Sequence, residues 1–152
     1  MISVETLQEP EIPLLEPLVD EFVQSHHALA FRTDYWSPLC AWLAQLLDDP
    51  ESTAFVARDP EGVVGVGTGV VRDNGPLLTP ERIGFVGFLT VAKRCRRQGI
   101  ASVIWEELRS WFATRGITEA QLYTELGNPA SEGFWEAKGF EAILQTRRCL
   151  IG

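Results

Sequence analysis

Apolar residues recur along this chain with two different periods, and the switches between them mark its elements. Ile2 to Leu7 alternates loosely and predicts a short strand, β1. Ile12 to Ala30 carries Leu14, Leu15, Leu18, Val19 and Phe22 at helical spacing and predicts α1. Trp36 to Leu47 repeats the pattern with Leu39, Trp42, Leu43, Leu46 and Leu47, and Ser37-Pro38 suits a cap and first turn; this is α2. Ser52 to Arg58 (β2) and Gly62 to Arg72 (β3) are strand-like, and the Asp59-Pro60-Glu61-Gly62 turn between them makes a hairpin. After a loop at residues 73–80, Ile83 to Val91 is a nearly continuous apolar run, read as a strand buried on both faces, β4. Gly99 to Arg115 is the strongest helix, α3, with Ile100, Val103, Ile104, Leu108, Trp111 and Phe112 on one stripe and Gly116 placed to end it. Ala120 to Glu125 predicts β5. Pro129 to Lys138, with Asn128 before a first-position proline, predicts α4. Phe140 to Ile151 predicts one or two closing strands, β6 and β7.

This order is an α/β pattern: a mixed sheet of six to seven strands in which β4 and β5 run parallel around a crossover helix, α3. Such sheets bind ligands at the carboxyl ends of strands, beside helix N-termini, which for β4 means residues 91–101. With 152 residues the chain fits one domain, 1–152.

Charge sharpens the picture. Residues 1–62 hold twelve acids against two bases, and residues 63–152 hold nine acids against eleven bases, for a net charge of −8. The molecule as a whole repels phosphate backbones, so nucleic acid is not expected as a partner. Lys93, Arg94, Arg96 and Arg97 nevertheless concentrate positive charge directly before Gln98-Gly99. Three scattered cysteines, Cys40, Cys95 and Cys149, form neither a disulfide framework nor a metal motif, and suit a reducing cytoplasm. His26 and His27 are neighbours, which on a helix point about 100° apart, so no metal site is expected. No apolar run approaches the ~18 residues of a membrane span, and no leader is indicated. Exposed strand edges in a small α/β fold make a homodimer an expectation.

The segment Arg96-Arg97-Gln98-Gly99-Ile100-Ala101 lies between a buried strand and the first turn of α3. Unpaired N–H groups converge there with the positive end of the helix dipole behind them. Gly99 lets an oxygen approach closely, Ala101 keeps the next turn clear and the arginines add fixed charge, so a diphosphate suits the loop. The pattern R-x-x-G-x-A after Leu89-Thr90-Val91 is followed by Asn128-x-x-Ser131-x-x-Phe134-Trp135-x-x-x-Gly139-Phe140. Together they resemble the two coenzyme A signatures of the GNAT superfamily of acyl-CoA N-acyltransferases. The signatures span residues 83–140, and the element order extends the likeness to nearly the whole chain.

The resemblance implies a GNAT fold with splayed β4/β5 and acetyl-CoA as cosubstrate. Leu89, Thr90 and Val91 would bond the pantetheine arm, with a Leu89 backbone N–H facing the thioester oxygen. Arg96, Arg97, Gln98, Gly99, Ile100, Ala101 and Ser102 would wrap the pyrophosphate. Asn128 would contact a pantetheine amide, and Ser131, Trp135 and Lys138 would line the cofactor from α4. The bland readings stand beside these: Asn128 as helix cap, Ser131 and Lys138 as solvent-facing residues, Trp135 as core. Trp135 stands where the family often has a tyrosine that protonates the leaving thiolate, and indole cannot do that. Water, Ser131 or Tyr123 would serve instead, or the thiolate leaves unprotonated. The general base is sought in Glu125 and Tyr123, which share a face of β5, with Asp34, His26 and His27 as further candidates. The acidic first half favours a cationic amine acceptor, and Phe31, Tyr35 and Trp36 suit an apolar or ring-bearing one; acidity for solubility and aromatics as core are the plainer readings. The expected activity is direct acetyl transfer to a primary amine of a small molecule or peptide. The alternatives are a non-catalytic acyl-CoA-binding sensor or interaction module and, more remotely, a nucleotide-phosphate binder, for which the chain lacks the G-x-x-x-x-G-K-[ST] loop.

Overall fold

The computed structural model describes residues 1–152. Five strands form one sheet in the order β1-β2-β3-β4-β5. β1 (Ser3–Thr6), β2 (Ser52–Asp59), β3 (Gly62–Asp73) and β4 (Arg82–Val91) are mutually antiparallel, and β5 (Ala120–Leu122) joins β4 in parallel. The helices are α1 (Glu16–Gln24), α2 (Trp36–Asp48), α3 (Ile100–Thr114) and α4 (Pro129–Ala137).

Two expectations need correction. The segment expected to open α1 is a 3₁₀ stretch, Glu9–Leu15, because Pro10 and Pro13 withhold N–H groups, and α1 itself stops at Gln24. His26 and His27 therefore lie in the α1–α2 connection. The closing strands over Phe140–Ile151 do not form, so the sheet has five strands and not six or seven. β5 keeps only three residues, and Ile143, Leu144, Leu150 and Ile151 lie exposed. Alternation alone makes no strand without an edge long enough to pair it.

The sheet lies between α1 and α2 on one face and α3 on the other. A Cβ on Gly87 would meet Trp42 of α2, while one on Gly67 or Gly84 would stand 2.5 Å from Ile104 or 2.7 Å from Phe112 of α3. Glycine at positions 67 and 84 is thus what lets α3 seat on β3 and β4. A core of 24 buried residues runs through both faces. Trp105, Trp135 and Phe140 close one end with ring centroids 5.0–5.7 Å apart.

Gly67→Ala should destabilise the fold by about 1–3 kcal/mol through overpacking against Ile104. Gly133→Ala, at a helical position with open space around it, should stabilise it by ~0.5–1 kcal/mol. Denaturant unfolding of the two variants checks the opposite signs.

Candidate active site

The pairing of β4 with β5 ends at Val86–Leu122, whereas pairing with β3 continues to Val91. One side of residues 87–91 therefore faces a gap in the sheet. Which groups face it is set by a bulge: β4 spends three residues, Val86 to Leu89, against two on β3, Gly69 to Gly67. Before it, the Gly84 N–H points to the β5 side and bonds the Glu119 carbonyl at 2.9 Å. At the bulge the Phe88 N–H bonds the Thr68 hydroxyl at 2.9 Å. Beyond it the Ala92 N–H bonds the Val64 carbonyl at 2.8 Å. By strand alternation Thr90 faces β3, while Leu89 and Val91 turn their N–H and C=O groups into the gap.

The basic loop follows directly. Arg97 and Gly99 both adopt left-handed backbone, φ 65° and 78°. Gly99 is the N-cap of α3 without any side-chain cap, and the first helical bond is Val103 N–H to the Gly99 carbonyl. The N–H groups of Ile100, Ala101 and Ser102 are left for a ligand or water. An anion fits them, with the helix dipole behind it. The Ile100 side chain is buried, so that residue offers only backbone.

The four cations differ in what they do. Arg94 is taken by Asp59, at 2.8 and 3.3 Å, and by Glu61 at 2.8 Å. Asp59 also accepts the N–H groups of Glu61 and Gly62, forming the β2–β3 turn. The Arg94 guanidinium and these amides hold its carboxyl at about 2. Arg96 sends Nε to the Val91 carbonyl at 3.4 Å, at the edge of the gap. Lys93 and Arg97 form no ion pair. The Lys93 N–H is capped by Glu21 at 2.9 Å, which ties α1 to the loop.

The second signature divides. Asn128 Oδ1 accepts the Ser131 N–H at 3.3 Å, so it is the cap of α4, and its amide NH₂ remains free to donate. Ser131 is half-buried, and Lys138 holds its ammonium 5.5 Å from the Phe134 ring. Trp135 is only 8% exposed and packed in the aromatic cluster, which favours the core reading of this position. Tyr123 is 78% exposed, its ring against Phe85.

Glu125 is also not free. Its two oxygens accept the N–H groups of His27 at 3.1 Å and Ala28 at 2.9 Å, and these bonds, the His27 one foremost, hold its pKa below the usual carboxylate range. It lies beyond the end of β5 and clamps the α1–α2 connection to the β5–α4 segment; as an anion already bonded by amides it is a poor proton acceptor. Arg148 adds a bond to the Ala28 carbonyl at 3.2 Å. Within this connection His26 lies with Nδ1 2.7 Å from the Phe22 carbonyl, a contact that places a proton on Nδ1 and leaves Nε2 outside this bond. Its ring stacks against Phe22 at 4.1 Å, and Phe22 against Phe88 at 5.1 Å, which brings His26 near the β4 bulge.

Thr68, Glu21, Phe22 and Phe88 were not singled out by sequence. A glycine inside the apolar run, Gly87, was the available sign of a bulge. No group of three or more His, Cys, Asp or Glu gathers to hold a metal ion, and no helix is long and apolar enough to cross a membrane.

A splayed strand pair with an uncapped helix start at its mouth suits an extended ligand that ends in an anion. The acetyltransferase (GNAT) family model matches residues 15–140, and the chain belongs to that family. The aminoglycoside N(6')-acetyltransferase type 1 of Serratia marcescens is 31% identical over 121 residues, covering 74% of this chain and 82% of that protein. In fold the chain is similar to a predicted acetyltransferase from Clostridium acetobutylicum crystallised with acetyl-CoA, with a TM-score of 0.81, 17% identity and 99% and 96% of the two chains covered. It is similar also to an aminoglycoside antibiotic 6'-N-acetyltransferase from Acinetobacter haemolyticus, with a TM-score of 0.79, 15% identity and 99% and 98% covered.

Because the Asp59 carboxyl is held below its unfolded value, its contribution to stability is present above pH ~4 and fades as pH falls towards 2. Asp59→Asn should therefore be less stable than wild type at pH 7, and the gap should narrow on acidification across that window, as read by thermal scans at several pH values.

Proposed function

We propose that the protein transfers an acetyl group from acetyl-CoA directly to a primary amine in a ternary complex. The observation that carries this reading is the row of main-chain groups at Leu89 and Val91 that β5 leaves without a ladder partner, the Val91 carbonyl being met by Arg96 Nε, continuous with the free N–H groups of Ile100, Ala101 and Ser102. An extended amide-bearing arm ending in a diphosphate matches that row in both chemistry and order. Thr90 holds the strand from the β3 side, Arg96, Arg97 and Gln98 surround the diphosphate, and the Asn128 amide, Ser131 and Lys138 border the arm. Family membership and the acetyl-CoA-bound neighbour support the donor.

Acetyl-CoA, when bound, supplies an activated acyl carbon and a thiolate leaving group. The amine nitrogen bonds that carbon, the carbon–sulfur bond breaks and the amine loses one proton. The Leu89 N–H, fixed by the bulge, would receive the carbonyl oxygen as charge develops on it. The proton would pass to Nε2 of His26, directly or through a water, since Glu125 is engaged in holding the loop. Tyr123 and Ser131 supply hydroxyl donors for the departing sulfur, which as a thiolate needs little help. The Serratia relative acts on aminoglycosides by its name, which supports an amine acceptor.

A thermal scan with acetyl-CoA at ~100 times its dissociation constant should add about 2.7 kcal/mol to the native state, a shift on the order of 5–10 °C. ATP should give none. Gly99→Glu, which puts a carboxylate at the proposed diphosphate position, should abolish the shift. No shift with wild type overturns the reading, and a shift without thiol release across a broad amine panel leaves a binder in place of an enzyme.

His26→Asn should lower kcat by about 10²-fold. The acetyl-CoA shift should stay as in wild type. A kcat equal to wild type would remove His26 from proton transfer.

A further inference from the structure

A cavity of about 250 Å³ opens between α1, the α1–α2 connection, α2 and β4. Its walls are chiefly Phe22, Phe31, Tyr35, Leu39 and Phe88, with Phe22 set edge-on to both Phe88, at 5.1 Å, and Phe31, at 6.4 Å. Phe88 is the bulge residue directly before Leu89, so the cavity adjoins the backbone N–H assigned to the reacting carbonyl. No Asp or Glu lines it, and its charged member is Arg32. The neighbouring carboxylates are engaged: Asp34 by the Arg32 guanidinium at 3.0 Å, and Asp20 by the Tyr35 hydroxyl.

We propose that this cavity is the acceptor subsite and selects a primary amine bearing one aromatic or branched apolar group, free or at the end of a peptide. The proposal rests on the acetyltransferase reading and departs from the cationic acceptor that the acidic first half suggested. Part of that negative charge is taken up by internal pairs, Glu5 and Glu11 with Arg58, Glu51 with Arg82, Asp59 and Glu61 with Arg94, and none of the acids lines the cavity. An aminosugar entering here would leave hydroxyls unpartnered against phenyl rings. A polyamine would bring its second ammonium against apolar walls with no lining carboxylate to pair it. A single ring gains edge-to-face contacts with Phe22, Phe31 and Phe88, and the space suits one ring and a short arm. The same surroundings prepare the nucleophile, because apolar walls disfavour the ammonium form of the bound amine.

The test compares kcat/KM for 2-phenylethylamine, phenylalaninamide, ethylamine, spermidine and kanamycin, alongside calorimetric titration of 2-phenylethylamine into the protein with and without coenzyme A. At least one aromatic amine should exceed ethylamine by about tenfold or more, with spermidine and kanamycin below both; which of the two aromatic amines leads distinguishes a free amine from a peptide terminus. Phe31→Ala should cut turnover and binding of the aromatic amine about tenfold while changing ethylamine little, and Phe31→Leu should restore most of the loss. Preference for spermidine or kanamycin, equal loss on ethylamine, or absence of calorimetric binding overturns the proposal. If acetyl-CoA gives no unfolding shift, the acetyltransferase reading has failed, and the titration without coenzyme A still decides the cavity.

Discussion

A strand inside a sheet must satisfy its N–H and C=O groups on two sides, and β4 does so on one side only beyond Val86. β5 ends at Leu122 and leaves the last residues of β4 facing a gap. The bulge then decides which groups face it. One extra residue between Val86 and Leu89 reverses the parity of the strand, so Leu89 and Val91, rather than Phe88 and Thr90, point outward. The Thr68 hydroxyl makes the bulge affordable by accepting the Phe88 N–H that the ladder abandons. On the proposed reading, function is a backbone property first, and few side chains take part in it.

Around that gap the molecule is held by a small number of polar clamps. Asp59 ties the β2–β3 turn to Arg94, Glu21 ties α1 to Lys93, and Glu125 ties the α1–α2 connection to the β5–α4 segment. The glycines at 67 and 84 set the depth at which α3 sits, and with it the position of the helix start. The aromatic rings of α1, the connection and β4 then enclose a space beside the same backbone.

Much of this was legible in the sequence, because it follows from periodicity and from backbone chemistry. The elements from β1 to α4, the parallel β4–β5 pair and the Arg96–Ala101 turn were read from apolar spacing and from Gly99 before a helical stripe. What escaped depends on which partner a side chain meets. Trp135 fits a cofactor signature and a core position equally by spacing, and packing with Trp105 and Phe140 favours the core. Glu125 has the parity of a catalytic carboxylate, yet two amides nearly a hundred residues earlier in the chain claim it. The closing segment alternates like a strand, but the three-residue β5 gives it no adequate edge. Counting acids in the first half revealed nothing of how many were already paired.

The most direct measurement is residue-resolved amide hydrogen exchange with and without coenzyme A. The account predicts that the ligand slows exchange at Leu89, Val91 and Ile100 to Ser102 and leaves Thr90, already bonded to β3, unchanged. Ligand-induced protection elsewhere, with these amides exchanging as in the free protein, would contradict it.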